Sequence, residues 1–227
     1  LLCMYAMDNP AFKEVVNETE VELPITNKHT ATTRKFTTNY MLSTQSQSGY
    51  RYEGASGVKT GFTTPAGYCL ASCVEKDELT FFTVVLGAQK YEDSRQGNFT
   101  ETIKLFDFAK DSFSMQTLLK SNEPITTIPL RLAADKEHVQ LQPEYAVTAL
   151  LPKDFKGMED ERLELIYTVS DEEGVDAPVE IGQALGTLTV KYDGRTYATM
   201  DLVSAEAVER SQVLHVIDTV SSFFSST

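Results

Sequence analysis

The chain has 227 residues, 41% of them hydrophobic and 23% charged, which is enough for one or two domains with a real core. A formal net charge of −13 repels phosphate backbones and excludes nucleic acid as an expected partner. No run of about 18 apolar residues occurs, and three cysteines (Cys3, Cys69, Cys73) are too few and too odd in number for a disulfide scaffold.

The acidity is uneven. Residues 1–116 carry 11 Lys and Arg against 14 Asp and Glu, a balance of −3, whereas residues 117–227 carry 9 against 19, a balance of −10. A solvated acidic surface accounts for the second half; a role in holding off anionic envelope polymers is the alternative. The opening Leu1-Leu2-Cys3-Met4-Tyr5-Ala6-Met7 reads as the last turns of a helix already under way, with no basic-then-apolar leader, so further sequence is expected upstream.

Asn9-Pro10-Ala11-Phe12-Lys13-Glu14-Val15-Val16 predicts a short helix, with Asn9 as its cap and Pro10 at the first helical position, where no N–H is needed. A polar, alternating stretch follows from Glu18 to Ile25; Thr26 to Asn39 and Met41 to Tyr52 read as loop. Gly67 to Val74 is a β-type run, Glu75-Lys76-Asp77-Glu78 a charged turn, and Leu79 to Leu86 a second strand closed by Gly87, together an antiparallel hairpin. The second strand is nearly continuous in apolar residues, which predicts burial on both faces. A helix is predicted over about Ser94 to Phe113, with Phe99, Ile103, Phe106 and Lys110 along one side and Leu105, Phe108 and Ala109 widening the stripe. Residues 114–123 have the composition of a linker.

Beyond it the chain turns all-β. Short strands are predicted at Ile125–Leu132, Val139–Leu141, Ala146–Leu151, Leu163–Val169, Leu185–Tyr192 and Thr196–Val203, with Asp193-Gly194 as a two-residue hairpin turn. Six such strands suggest a small β-sandwich. Ala205 to Glu209 reads as the start of a short helix. Val213 to Phe224 has an apolar face at helical spacing, suited either to a helix leading toward a membrane or to one packed on the sandwich.

Cys69 and Cys73 stand four residues apart in one predicted strand, roughly 13 Å, too far to bridge; both read as small buried apolar residues. His29, His138 and His215 are scattered singly and read as surface or structural. No Cys/His cluster has metal-ligand spacing, and no cofactor is expected.

One short motif carries chemistry: Lys59-Thr60-Gly61, within Gly57-Val58-Lys59-Thr60-Gly61-Phe62-Thr63. Alone it reads as a strand start with an exposed lysine. Its setting, ahead of a hairpin and a long helix, resembles the third motif region of the low-molecular-mass penicillin-binding proteins, serine-type D-alanyl-D-alanine carboxypeptidases of peptidoglycan trimming. The resemblance extends through Thr64 to Leu70 and Val84-Val85-Leu86-Gly87-Ala88. It reaches back to Asn9-Pro10-Ala11-Phe12 and Thr37 to Leu42, and forward to Pro178 to Gly186 and Leu202-Val203-Ser204-Ala205.

The resemblance implies an α+β architecture: residues 1–116 form the C-terminal part of a transpeptidase-like catalytic domain, antiparallel strands with helices, and residues 117–227 a sandwich-like β domain. It implies an acyl-enzyme chemistry. In it Lys59 sets an ammonium beside the nucleophile and the substrate carboxylate. Thr60, with Thr63 and Arg95, contacts the substrate, Gly61 leaves room for an extended peptide to pair with the strand edge, and the backbone N–H of Phe62 serves the oxyanion hole. The implied partners are a peptidoglycan stem ending in D-Ala-D-Ala and, for the full-length enzyme, β-lactams, on the outer face of the cytoplasmic membrane. Membrane attachment beyond the C-terminus and self-association through an exposed partial domain go with it. The family also needs Ser-x-x-Lys on a helix and Ser-x-Asn. The chain is expected to lack both, to be a fragment, and to be inactive alone. A non-catalytic β-domain spacer or protein-interaction module is the alternative function, and a β-lactamase is a third option disfavoured by the trailing β domain.

Overall fold

The computed structural model describes residues 1–42, 49–76 and 79–212. Part of the predicted charged turn (Asp77 and Glu78), His215 and the amphipathic stretch Val213 to Phe224 lie outside the described residues. The chain divides into two compact units, Leu1–Ser112 and Phe113–Thr227.

The first unit begins with α1 (Leu2–Met7) and α2 (Pro10–Asn17). Asn9 caps α2 as predicted, its side chain accepting the N–H groups of Ala11 and Phe12, with Pro10 at the helix start. A two-stranded antiparallel ribbon follows, β1 (Glu20–Leu23) with β2 (Thr33–Phe36). Loop was expected over residues 26–39; β2 corrects that. Its Thr and Lys content hid a strand whose partner, not its own pattern, specifies it.

A three-stranded antiparallel sheet forms the centre: β3 (Ala55–Thr63), β4 (Gly67–Lys76) and β5 (Leu79–Ala88), in the order β3-β4-β5. The predicted hairpin is β4–β5. The sheet packs on α3 (Gly97–Ser112), and Leu70, Val74, Phe99 and Phe106 are buried together with Met41 and Tyr50. Two expectations are corrected here. β5 is an edge strand, and Val84 and Leu86 are 59% and 74% exposed, so it is not buried on both faces. On α3 the buried stripe is Phe99, Thr102 and Phe106, while Leu105 and Phe108 face outward. Periodicity overestimated the apolar face because a single sheet covers only one side of the helix.

The second unit starts at Phe113, where β6 (Phe113–Leu119) occupies most of the expected linker. The linker expectation and the boundary at residue 117 are thereby corrected: the run ends in Leu118 and Leu119, both buried, in a strand paired to β9. Then come β7 (Thr126–Arg131), β8 (His138–Pro143), β9 (Val147–Pro152), a single 3-10 turn at Gly157–Glu159, β10 (Leu163–Val169), β11 (Val175–Asp176), β12 (Ala184–Tyr192) and β13 (Arg195–Ser204). They form a six-stranded sheet, β10-β12-β13-β8-β7-β11, and a two-stranded sheet, β6-β9. β8 and β9 alternate cleanly, turning Val139 and Leu141 or Val147, Ala149 and Leu151 into one core with Leu188, Val190 and Leu202. Asp193-Gly194 makes the predicted turn, with φ of 49° and 72°. Residues 205–209 are not helical; Val208 bridges Val179 instead.

A carboxylate clasp closes the loop before β10. Asp160, 6% exposed, accepts the N–H groups of Lys156 and Arg162 and the Arg162 guanidinium, at 2.8–3.1 Å. The Arg162 side chain, aided by those backbone N–H groups, holds the Asp160 carboxyl well below the usual carboxylate range. A depressed native pKa adds stability above the unfolded-state pKa that is lost as pH falls through the native value. The clasp is therefore intact at neutral pH and fails only in strong acid. Asp160→Asn is expected to flatten the pH dependence of the unfolding midpoint below about pH 4, followed by calorimetry. Leu188→Ala, at a fully buried core position, is expected to cost about 3 kcal/mol in urea unfolding.

Candidate active site

Lys59-Thr60-Gly61 lies in the middle of β3, the outer strand of its sheet, and no strand pairs with its other edge among the described residues. The register sets Lys59 opposite Ala71, Thr60 opposite Leu70, Gly61 opposite Cys69 and Phe62 opposite Tyr68. Backbone donors and acceptors on the free side therefore remain open to an extended chain.

A clasp from α2 fixes the strand just upstream. The Asn17 side-chain amide donates to the carbonyl of Lys13 and to Ser56 Oγ (2.9 and 2.8 Å), and its oxygen accepts the Gly57 N–H at 2.8 Å. The Gly57 carbonyl accepts from the buried side chains of Asn39 (2.7 Å) and Ser72 (3.0 Å). Gly57 has φ 57°, and a Cβ there would meet Val16 at 2.9 Å, so only glycine fits. Cys73, fully buried, donates its S–H to the Ser56 carbonyl, and burial pushes its thiol up to about 11. This supports reading it as an inert core residue; Cys69 is only partly buried.

Beside β3 lies a cavity of about 360 Å³. Its wall takes Lys59, Thr60, Gly61 and Phe62 from β3, Thr38 and Tyr40 from the loop after β2, and Gln96, Asn98 and Phe99 around the start of α3. The hydroxyls of Thr38 and Thr60 are 2.6 Å apart, and Lys59 Nζ donates to the Thr60 carbonyl at 2.6 Å. The α3 start is held by aromatic packing: Tyr50 stacks on Phe99 at 5.0 Å, and its hydroxyl accepts the Gln96 N–H at 2.6 Å. Asn98, 2% exposed, donates its amide to the carbonyl of Cys69, the residue opposite Gly61. A lysine ammonium, two hydroxyls and a helix N-terminus converge here, an arrangement suited to an anionic group. Among the described residues no group of His, Cys, Asp and Glu has the composition to hold a metal ion.

The structure thus brings together Lys59, Thr60, Gly61 and Phe62. It does not bring Thr63 or Arg95 to the cavity wall. Thr63 Oγ1 accepts the Ala66 N–H in the β3–β4 turn, and Arg95 is paired with Asp93 at 2.6 Å and lies over the Tyr91 ring. Thr38, Tyr40, Tyr68, Gln96, Asn98 and Phe99 had not been singled out as site residues. Thr38 and Tyr40 lie in the run Thr37 to Leu42, and Tyr68 in Thr64 to Leu70, both of which carried a signal through their family resemblance.

One sequence expectation is corrected. The spelling Ser-x-x-Lys does occur, at Ser56-Gly57-Val58-Lys59, overlapping the Lys-Thr-Gly run. It lies in β3, with a register shift between Ser56 and Lys59. Ser56 is 7% exposed and engaged by Asn17, whereas Lys59 is exposed. The motif needs serine and lysine stacked three apart on one helical face, which a strand does not supply. No Ser-x-Asn occurs in the 227 residues.

Comparison with known proteins agrees with this architecture. Residues 6–90 match the model of the D-alanyl-D-alanine carboxypeptidase family, and residues 113–210 match that of the penicillin-binding protein 5 C-terminal domain. D-alanyl-D-alanine carboxypeptidase DacF of Bacillus subtilis is 28% identical over 160 residues, 70% of this chain and 39% of its own length. DacC of Escherichia coli is 28% identical over 153 residues, 67% of this chain and 36% of its own length. Among solved structures, penicillin-binding protein 5 from Haemophilus influenzae is 22% identical with a TM-score of 0.45, covering 89% of this chain and 53% of that one. The chain belongs to the low-molecular-mass penicillin-binding proteins, the D-alanyl-D-alanine carboxypeptidase family. It spans about two fifths of the length of the curated relatives it matches.

The Asn17 clasp gives a direct expectation. Asn17→Ala leaves the Gly57 N–H and Ser56 hydroxyl without their partner and should destabilise the first unit by about 1–3 kcal/mol. Amide exchange at Gly57 should quicken more than exchange in α3.

Proposed function

We propose that residues 1–112 form part of the catalytic domain of a serine-type D-alanyl-D-alanine carboxypeptidase and supply the substrate-carboxylate wall of its active site. The nucleophilic serine, its activating lysine and Ser-x-Asn would come from residues outside this sequence. Lys59 carries the positive charge toward the terminal carboxylate and the attacking serine, Thr60 donates its hydroxyl, and the Phe62 N–H is one oxyanion donor. Arg95 would reach the substrate only after leaving Asp93, and Thr63 would contact it from the strand end. Residues 113–227 serve as the accompanying β domain. The site of action is the outer face of the bacterial cytoplasmic membrane, the substrate a peptidoglycan stem, and β-lactams the inhibitors.

The observation that carries this reading is Gly61. Its φ is not in the left-handed region, and a Cβ there would meet Cys69 at 3.6 Å, an ordinary contact. The fold does not need glycine at this position. A peptide held in the cavity beside β3 does, because Gly61 lines that cavity and a side chain there would take up its space.

The chemistry follows from the arrangement. Serine attack on the penultimate carbonyl forms an acyl-enzyme and releases D-alanine; water then frees the shortened peptide. An oxyanion donor contributes about 3 kcal/mol to such a step. This wall orients substrate and stabilises charge without forming a bond itself. Leu2 and Tyr5 on α1, and Val84 and Leu86 on β5, are more than half exposed, apolar groups suited to packing against further protein or a second copy.

Two measurements test the proposal. The 227-residue chain treated with penicillin is expected to show no covalent adduct by mass spectrometry; a stable adduct on any of its serines would overturn the assignment. In the protein extended to include a helix-borne Ser-x-x-Lys, Gly61→Val is expected to lower the penicillin acylation rate and kcat/KM for a D-Ala-D-Ala peptide by at least about tenfold, with the unfolding midpoint nearly unchanged. Full activity in that variant would sink the role given to β3.

A further inference from the structure

We infer that the outer edge of β10 is a self-pairing surface, through which two copies of this chain join their six-stranded sheets across a two-fold axis at Ile166. β10 is a terminal strand of its sheet, and no strand pairs with its other side among the described residues. Its register with β12 is unbroken from Leu163↔Tyr192 to Val169↔Gly186.

The direction of its backbone groups follows from two hydrogen bonds. The Asp193 N–H donates to the Arg162 carbonyl, and the Ser170 N–H to the Leu185 carbonyl, both at 2.9 Å. Even-numbered residues of β10 therefore bond inward to β12, and Leu165, Tyr167 and Val169 turn their N–H and C=O outward.

The edge lacks the usual protection. Natural edge strands carry prolines, bulges, inward charges or very short runs. The opposite edge of the same sheet has such features: β11 is two residues long, Arg131 on its neighbour is ion-paired to Asp171 and Asp176, and Pro178 follows two positions on. β10 has seven residues, Leu-Glu-Leu-Ile-Tyr-Thr-Val, with no proline, no bulge and one charge. Ile166 and Tyr167 at its centre are 48% and 44% exposed.

The sequence of the edge is self-complementary. A two-fold axis at Ile166 sets Leu165 opposite Tyr167 of the other copy, and both present outward backbone groups, so the pairs exchange hydrogen bonds. Ile166 meets its own copy as a non-hydrogen-bonded pair, where side chains approach most closely, at about 4.5 Å between Cα atoms. Glu164 falls opposite Thr168, so the only charge does not face itself. β10 belongs to the second unit, and the cavity beside β3 and the exposed residues of α1 belong to the first.

The test is sedimentation velocity on the full chain across a concentration series, with Ile166→Lys and Ile166→Glu variants. One strand pair is a small interface, so a dimer with a dissociation constant on the order of 10–100 μM is expected. Each variant alone should weaken it at least about tenfold, because like charges meet at the axis. An equimolar mixture of the two should restore it. Ile166 is half exposed on the solvent face, so circular dichroism should be unchanged in both. A wild-type chain that stays monomeric throughout overturns the proposal, as does a dimer that persists in Ile166→Lys or a mixture that fails to recover. A dimer lost on Leu2→Ser/Tyr5→Ser but kept in Ile166→Lys assigns association to the first unit instead and equally overturns it.

Discussion

The antiparallel pairing of β3 with β4, locked by the polar clasp at Gly57, is the constraint on which the site depends. Lys59, Thr60, Gly61 and Phe62 sit where they do because residues 55–63 are extended and in register with residues 67–74. Asn17, Asn39 and Ser72 all bond the backbone of Gly57, two residues upstream of Lys59, and Asn17 also donates to the Ser56 hydroxyl. Buried polar groups of this kind admit one arrangement, since any slip strands several donors at once. That rigidity delivers a flexible lysine and an unencumbered glycine to a strand edge with little freedom left to lose on binding.

The two units solve different packing problems. In the first, the three-stranded sheet packs on α3 and takes α2 against β3, and apolar side chains on β5 and α1 stay in contact with solvent. In the second, two sheets close over a shared core of Leu118, Leu141, Leu151, Leu188 and Leu202. The exposed apolar groups of the first unit include those on α1 and on β5, the edge of the sheet opposite β3; those of the second include Ile166 and Tyr167 on the terminal strand β10. A sheet satisfies its interior strands completely and its terminal strands by half, and β3 and β10 are both terminal strands with one edge unpaired among the described residues.

Much of the fold was legible in advance. Short β-type runs identified β8, β9, β10 and β12 within a residue or two, and Asp-Gly located the β12–β13 turn, because these signals report local backbone preference. β2 and β6 were missed because their pattern is polar and their partners, β1 and β9, specify them. Leu105, Phe108, Val84 and Leu86 were expected in a core that covers only one side of their elements. In the site, Lys59 to Phe62 were marked as site residues by the family resemblance of the Lys-Thr-Gly run. Thr38, Gln96 and Asn98 were not, since chain segments separated by a hairpin and a loop meet only after folding.

By itself the sequence determined the family, the two-part α+β and all-β organisation, and the Lys-Thr-Gly strand as the chemical landmark. Those depend on residue identity and local periodicity. Only the tertiary structure decided which neighbours share the Lys-Thr-Gly wall, that Arg95 is engaged by Asp93 and Thr63 by the turn, and that Ser56 and Lys59 are no catalytic pair despite their spacing. A three-residue separation puts two side chains on one face of a helix, while in a bulged strand it buries one and exposes the other. The same letters carry different chemistry because the backbone, not the spacing, sets where side chains point.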